Sequence, residues 1–105
     1  MRVLHPNDRW EVAVMPGRTE AILFAAAHFI EAAQRAIDER GLFSVALSGG
    51  STPKALFQKL CEPKVAPLID WSRVLLFWSD ERAVPPDHPD SNYRMAMEAG
   101  LSSLP

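Results

Sequence analysis

Phe43-Ser44-Val45-Ala46-Leu47 runs without a break into Ser48-Gly49-Gly50-Ser51-Thr52-Pro53-Lys54, and the fold is decided at that junction. The first five residues are mostly apolar and do not alternate with polar ones, the pattern of a strand covered on both sheet faces. Two glycines then allow a tight turn. Pro53 suits the first turn of a helix, where a missing N–H costs nothing, and Ser51 or Thr52 can cap that helix. The pattern predicts a helix over Lys54–Leu60 that ends before Pro63.

Upstream, Trp10–Met15 alternates apolar and polar residues and predicts a short strand, stopped by Pro16-Gly17. A long helix follows, with Thr19 as its N-cap and Gly41 just past its end. Ile22, Ala25, Ala26, Phe29, Ile30, Ala33, Ala36 and Ile37 recur at three- and four-residue steps and form its apolar face. Glu20, His28, Glu31, Arg35, Asp38 and Glu39 fall largely on the polar side, and so does Phe24. Downstream, Cys61–Asp70 reads as a loop and Val74–Trp78 as a third apolar strand. After the polar Ser79-Asp80-Glu81-Arg82 and a loop with three prolines, Ser91 caps a last helix, Asn92–Ala99, ended by Gly100. Strands alternating with helices predict an α/β layered fold with a mainly parallel sheet. Ligands in such sheets bind beyond the carboxyl ends of the strands. The Ser48–Thr52 loop and the Asp80–Arg82 triplet are both expected there.

Composition narrows the function classes. The 105 residues fit one small domain, 48% apolar and 23% charged, hence globular. A net charge of −2 provides no field to draw nucleic acid or an anionic membrane, so any bound anion needs a local site. Cys61 is the only cysteine, which excludes an intrachain disulfide and suits a reducing compartment. Met1–Asp8 has no apolar run for a signal peptide or a membrane span, and a cytoplasmic protein is expected.

The glycine loop has the chemistry of an anion cradle. A helix start offers unpaired N–H groups, and Ser51 and Thr52 add hydroxyls. The helix dipole contributes only about 0.3–1 kcal/mol, whereas hydrogen bonds to a charged group are worth roughly 1.5–3 kcal/mol each. Aligned donors therefore dominate. The alternative is a plain strand-to-helix turn. The loop lacks G-x-G-x-x-G, the Gly-Lys-Ser/Thr end of a P-loop and the G-x-S-x-G elbow, which argues against dinucleotides, nucleoside triphosphates and a nucleophilic Ser51. A small phosphorylated ligand remains. Arg82 could grip its phosphate with two hydrogen bonds, and Asp80 could orient sugar hydroxyls or act as a base. The alternative for this triplet is a solvated turn with a local ion pair. None of His5, His28 and His88 reads as a hydrolytic base, and Asp87, His88 and Asp90 match no metal-binding spacing.

Phe43–Pro53, Ile69-Asp70-Trp71-Ser72-Arg73-Val74, Trp78–Asp87 and Asp90-Ser91-Asn92-Tyr93-Arg94-Met95 together resemble the 6-phosphogluconolactonases, over about Trp10–Gly100. The resemblance implies a three-layer α/β/α sandwich, shared with glucosamine-6-phosphate isomerases. It also implies hydrolysis of 6-phospho-glucono-1,5-lactone to 6-phosphogluconate in the oxidative pentose phosphate pathway. By that likeness Ser48, Gly49, Gly50, Ser51 and Thr52 cradle the substrate, Arg82 holds its phosphate and Asp80 lies at the active site. The partner is then a small phosphosugar lactone, with no nucleic acid, membrane, metal or organic cofactor.

The chain departs from the family in extent. Members are roughly twice this long, and their catalytic histidine lies in a later Gly-x-Asp-Gly-His-type segment absent here, as does a later phosphate-binding lysine. The expectation is therefore the N-terminal part of a single domain, an incomplete half, inactive by itself and prone to associate through uncovered sheet faces. Two rivals share the loop. One is the amino-sugar-phosphate isomerase/deaminase, which typically has tyrosine where this chain has Arg82. The other is a non-catalytic phosphosugar-sensing module.

Overall fold

Strand formation begins earlier than the alternating run at Trp10. The computed structural model describes residues 2–7, 10–79, 81 and 83–104, apart from the side chains of Pro6, Trp10 and Ser103. Arg2–Asn7 (β1) and Trp10–Val14 (β2) form an antiparallel hairpin, with Arg2 opposite Val14 and an irregularity between Leu4 and Asn7. His5 therefore lies in a strand. This pair is a sheet of its own.

Arg18–Arg40 (α1) is the long helix. Its expected apolar face is the inward one: Ala26, Ala33 and Ala36 are buried, and Ile22, Ala25, Phe29, Ile30 and Ile37 are half-buried. His28 and the charged residues of the opposite face are exposed, as is Phe24. Gly41 ends the helix in the left-handed region (φ 77°), and its N–H donates to Ile37 O at 2.8 Å. The N-cap is Gly17, not Thr19: the chain enters the helix from extended backbone, and no side chain caps it.

Phe43–Leu47 (β3) and Val74–Trp78 (β4) pair in parallel, in register from Phe43 opposite Val74 to Leu47 opposite Trp78. The connection between them carries Ser51–Leu60 (α2), so the expected α/β unit with a parallel pair is present. One face of the pair is covered: Phe43 and Leu47 are buried, and Val45, Val74, Leu76 and Trp78 are half-buried. On the other face Ser44, Ala46, Leu75 and Phe77 are exposed, so the apolar runs are not covered on both sides within the described residues.

The core gathers Phe57 and Leu60 of α2 with Ala33 and Ala36 of α1, Phe43, Leu47, Ile69 and Trp71. Full burial of a side chain such as Phe57 stabilises by about 1.5–3 kcal/mol. Phe29 links helix to sheet, edge-on to Phe43 and stacked near Trp71. The stretch after α2 contains two short 3-10 turns, Ala66–Leu68 and Trp71–Arg73. It is held by bonds from Trp71 Nε1 to Ala66 O (2.9 Å) and from Gln34 Nε2 to Leu68 O (2.8 Å). Asp70 caps the second turn by accepting from the Ser72 amide and hydroxyl, and chiefly that hydroxyl holds its carboxyl below the usual carboxylate range. Asn92–Glu98 (α3) follows, capped by Ser91 as expected, and Trp78 of β4 meets Tyr93 edge-on. No helix among the described residues is long and apolar enough to cross a membrane.

Candidate functional site

Parallel pairing sends both strands out of the sheet on the same side. The Ser79 N–H donates to Leu47 O at 2.9 Å, extending the ladder by one residue, and the Ser79 hydroxyl donates to the same carbonyl at 3.0 Å. The Ser48 and Ser79 hydroxyls are 3.1 Å apart. The starts of the two loops are thereby tied together, and Ser48–Thr52 occupies the carboxyl end of β3.

Gly50 turns the chain into α2 with φ 107° and ψ 175°, a conformation open in practice only to glycine. It is the N-cap of α2, which starts at Ser51; neither Ser51 nor Thr52 caps it, because both already lie within the helix. Among the described residues no side chain caps its first-turn amides. The Ser51 and Thr52 amides are the helix donors left at this end, since Pro53 has none. Both hydroxyl residues are exposed. Beside Ser51 opens a cleft of about 450 Å³, with Gly50, Ser51, Lys54, Asp90 and Asn92 among its walls. Among the described residues, Lys54 is the one cation lining it and Asp90 the one carboxylate. A second groove of about 270 Å³ lies between α1 and α2, lined by Ile22, Phe29, Thr52 and Leu56 and, among the described residues, by no charged group. The arrangement suits an anion with hydroxyl-bearing neighbours: amides and hydroxyls at the helix start, a lysine beside them and an open cleft for the rest of the ligand.

Sequence reasoning singled out Ser48, Gly49, Gly50, Ser51, Thr52, Asp80 and Arg82. The structure places the first five on one continuous loop and helix start. Asp80 and Arg82 lie outside the described residues. Glu81, between them, reaches the start of the last helix. Its carboxylate accepts from the Asn92 N–H at 2.7 Å, from the Tyr93 N–H at 3.0 Å and from the Ser91 hydroxyl at 3.0 Å. It thus joins the end of β4 to the start of α3.

Sequence reasoning missed two further neighbours. Arg18 Nη2 donates to Ser51 O at 3.1 Å, from the first turn of α1 to the first turn of α2. Asn92, only 3% exposed, packs against Gly49. The Asp90–Asn92 segment was legible as a helix start; contact with Gly49, 43 positions away, had no local signal. The described histidines stand apart from this chemistry. His88 Nδ1 accepts from the Asp90 N–H at 3.0 Å, and no histidine lines either cleft. No group of three metal-ligating side chains converges among the described residues.

Residues 16–105 match the family model described as glucosamine-6-phosphate isomerases/6-phosphogluconolactonase. A probable chloroplastic 6-phosphogluconolactonase 4 of Oryza sativa subsp. indica is 41% identical over 95 residues, covering 90% of this chain and 29% of the relative. A 6-phosphogluconolactonase of Nostoc is 42% identical over 93 residues, covering 89% of this chain and 37% of its own length. Among solved structures, the 6-phosphogluconolactonase from Trypanosoma brucei superposes with a TM-score of 0.77 at 32% identity, over 89% of this chain and 35% of that one. The Trypanosoma cruzi enzyme gives 0.75 at 36% identity, over 88% and 35%. The chain thus spans nearer a third than a half of these relatives' length. By sequence match over residues 16–105 and by superposition over most of its length, the chain belongs to the glucosamine-6-phosphate isomerase/6-phosphogluconolactonase family.

Proposed function

We propose that this chain supplies the phosphosugar cradle of a 6-phosphogluconolactonase, as the N-terminal part of a single domain that hydrolyses 6-phospho-glucono-1,5-lactone. The carrying observation is the uncapped start of α2 behind the Gly49–Gly50 turn, at the carboxyl end of a parallel strand. There the Ser51 and Thr52 amides and hydroxyls meet the phosphate, with Lys54 beside them. Asp80 and Arg82 belong to the same site in this reading, Arg82 on the phosphate and Asp80 on the sugar. The reaction adds a water oxygen to the lactone carbonyl carbon and breaks the ring C–O bond, so that the ring oxygen leaves as a hydroxyl and the carbonyl becomes a carboxylate. A base must take the water's proton. The histidine that the family likeness implies for that step falls outside these 105 residues, and the 105 residues alone are then inactive. The half-buried lone Cys61 supports a reducing compartment such as the cytoplasm.

The test is turnover of the full-length polypeptide on 6-phospho-gluconolactone and, separately, on glucosamine 6-phosphate. Lactone hydrolysis is expected, with Thr52→Val raising KM more than it lowers kcat because a remote phosphate contact is lost. Deamination of the amino sugar instead would replace this reading with that of the isomerase branch.

A further inference from the structure

Two adjacent glycines invite one explanation, but the structure separates them. Gly50 has positive φ; Gly49 does not. What Gly49 lacks is room. A methyl built there would overlap the Asn92 carboxamide, 2.6 Å from Cγ and 2.8 Å from Nδ2, far inside van der Waals contact. Asn92 is hardly free to yield. It is buried at the first position of α3, and its own N–H is held by Glu81 at 2.7 Å. The same carboxylate takes the Tyr93 N–H and the Ser91 hydroxyl, while the Ser91 oxygen accepts from the Arg94 N–H at 3.2 Å. All three amides of that first turn are thus satisfied, and α3 is pinned to the end of β4.

We propose that Asn92, anchored through Glu81, is a positioning residue that sets the shape of the Gly49–Gly50 turn, and that position 49 is glycine to admit Asn92 rather than to admit a ligand. Glu81 thereby links the end of β4 to the loop at the end of β3 without touching a substrate. The inference rests on the phosphosugar-cradle reading for its effect on binding, but the Asn92–Gly49 contact itself does not.

The experiment is a double-substitution cycle in the full-length protein: Gly49→Ala, Asn92→Ala and both together, with KM, kcat and melting temperature measured for each. Gly49→Ala alone is expected to raise KM by about tenfold or more, since a loop displaced by a fraction of an ångström loses aligned donors. Asn92→Ala should raise KM severalfold with little change in kcat, and Glu81→Ala should do the same. The double variant should return to the Asn92→Ala level, because the methyl occupies vacated space. A double variant whose losses are the sum of the two singles would overturn the proposal, since the glycine would then answer to the ligand. An Asn92→Ala or Glu81→Ala protein with unchanged KM would overturn the positioning role. If Gly49→Ala does not fold, recovery of folding in the double variant supports the proposal and continued failure to fold refutes it. If the wild type hydrolyses no phosphosugar, the functional reading falls, and the melting-temperature cycle still decides whether Asn92 and Gly49 are coupled.

Discussion

Gly50 and Gly49 read alike in the sequence, as one flexible pair, yet they answer to different constraints. At Gly50 the constraint is conformational: among the described residues a methyl there would meet only Pro53 Cδ at 3.8 Å, but φ is 107°. Gly50→Ala is therefore expected to destabilise by about 1–3 kcal/mol through backbone strain, measurable by chemical denaturation. No single substitution of a neighbour should relieve it, in contrast to position 49. Sequence composition exposes the need for glycine at such a turn. It cannot say which glycine needs its torsion and which its emptiness, because the second depends on a residue 43 positions away.

At the scale of elements, α3 is the instructive case. Seven residues are too few to hold a helix unaided; its first turn survives on Ser91 and Glu81. Ser91→Ala should cost about 0.5–2 kcal/mol, seen as a lower melting temperature and faster amide exchange over Tyr93–Met95. Ser91 was legible because a capping residue stands next to its helix. Glu81 was not, since its bond partners begin ten positions later and no local pattern joins them. The other two cap assignments failed for a shared reason: Gly17 and Gly50 open their helices with backbone alone, so Thr19, Ser51 and Thr52 fall inside the first turn. At α2 that arrangement suits the proposed site, because a capping side chain would compete for the amides offered to a ligand. The strand β1 escaped notice because Arg2–Asn7 contains a proline and no clean alternation.

For the molecule as a whole, the order of strands and helices and the parallel pair were legible, since long apolar runs and glycine turns act locally. The sheet's open face was legible only in outline. Leu75 and Phe77 are 45% and 56% exposed, and a two-stranded sheet has little stability of its own. The 105-residue chain is therefore expected to self-associate as its concentration rises, and Phe77→Lys to shift sedimentation toward monomer. A wild-type monomer that unfolds sharply and reversibly at high concentration would contradict this. Parallel pairing has one more effect, at the spot where Ser48 and Ser79 meet. A hydroxyl owns a single hydrogen, and Ser79 has given its own to Leu47 O. Ser48 must then aim its hydrogen at Ser79, so toward an incoming molecule it shows only lone pairs: while that relay holds, Ser48 can receive a sugar O–H but has nothing to offer a phosphate oxygen.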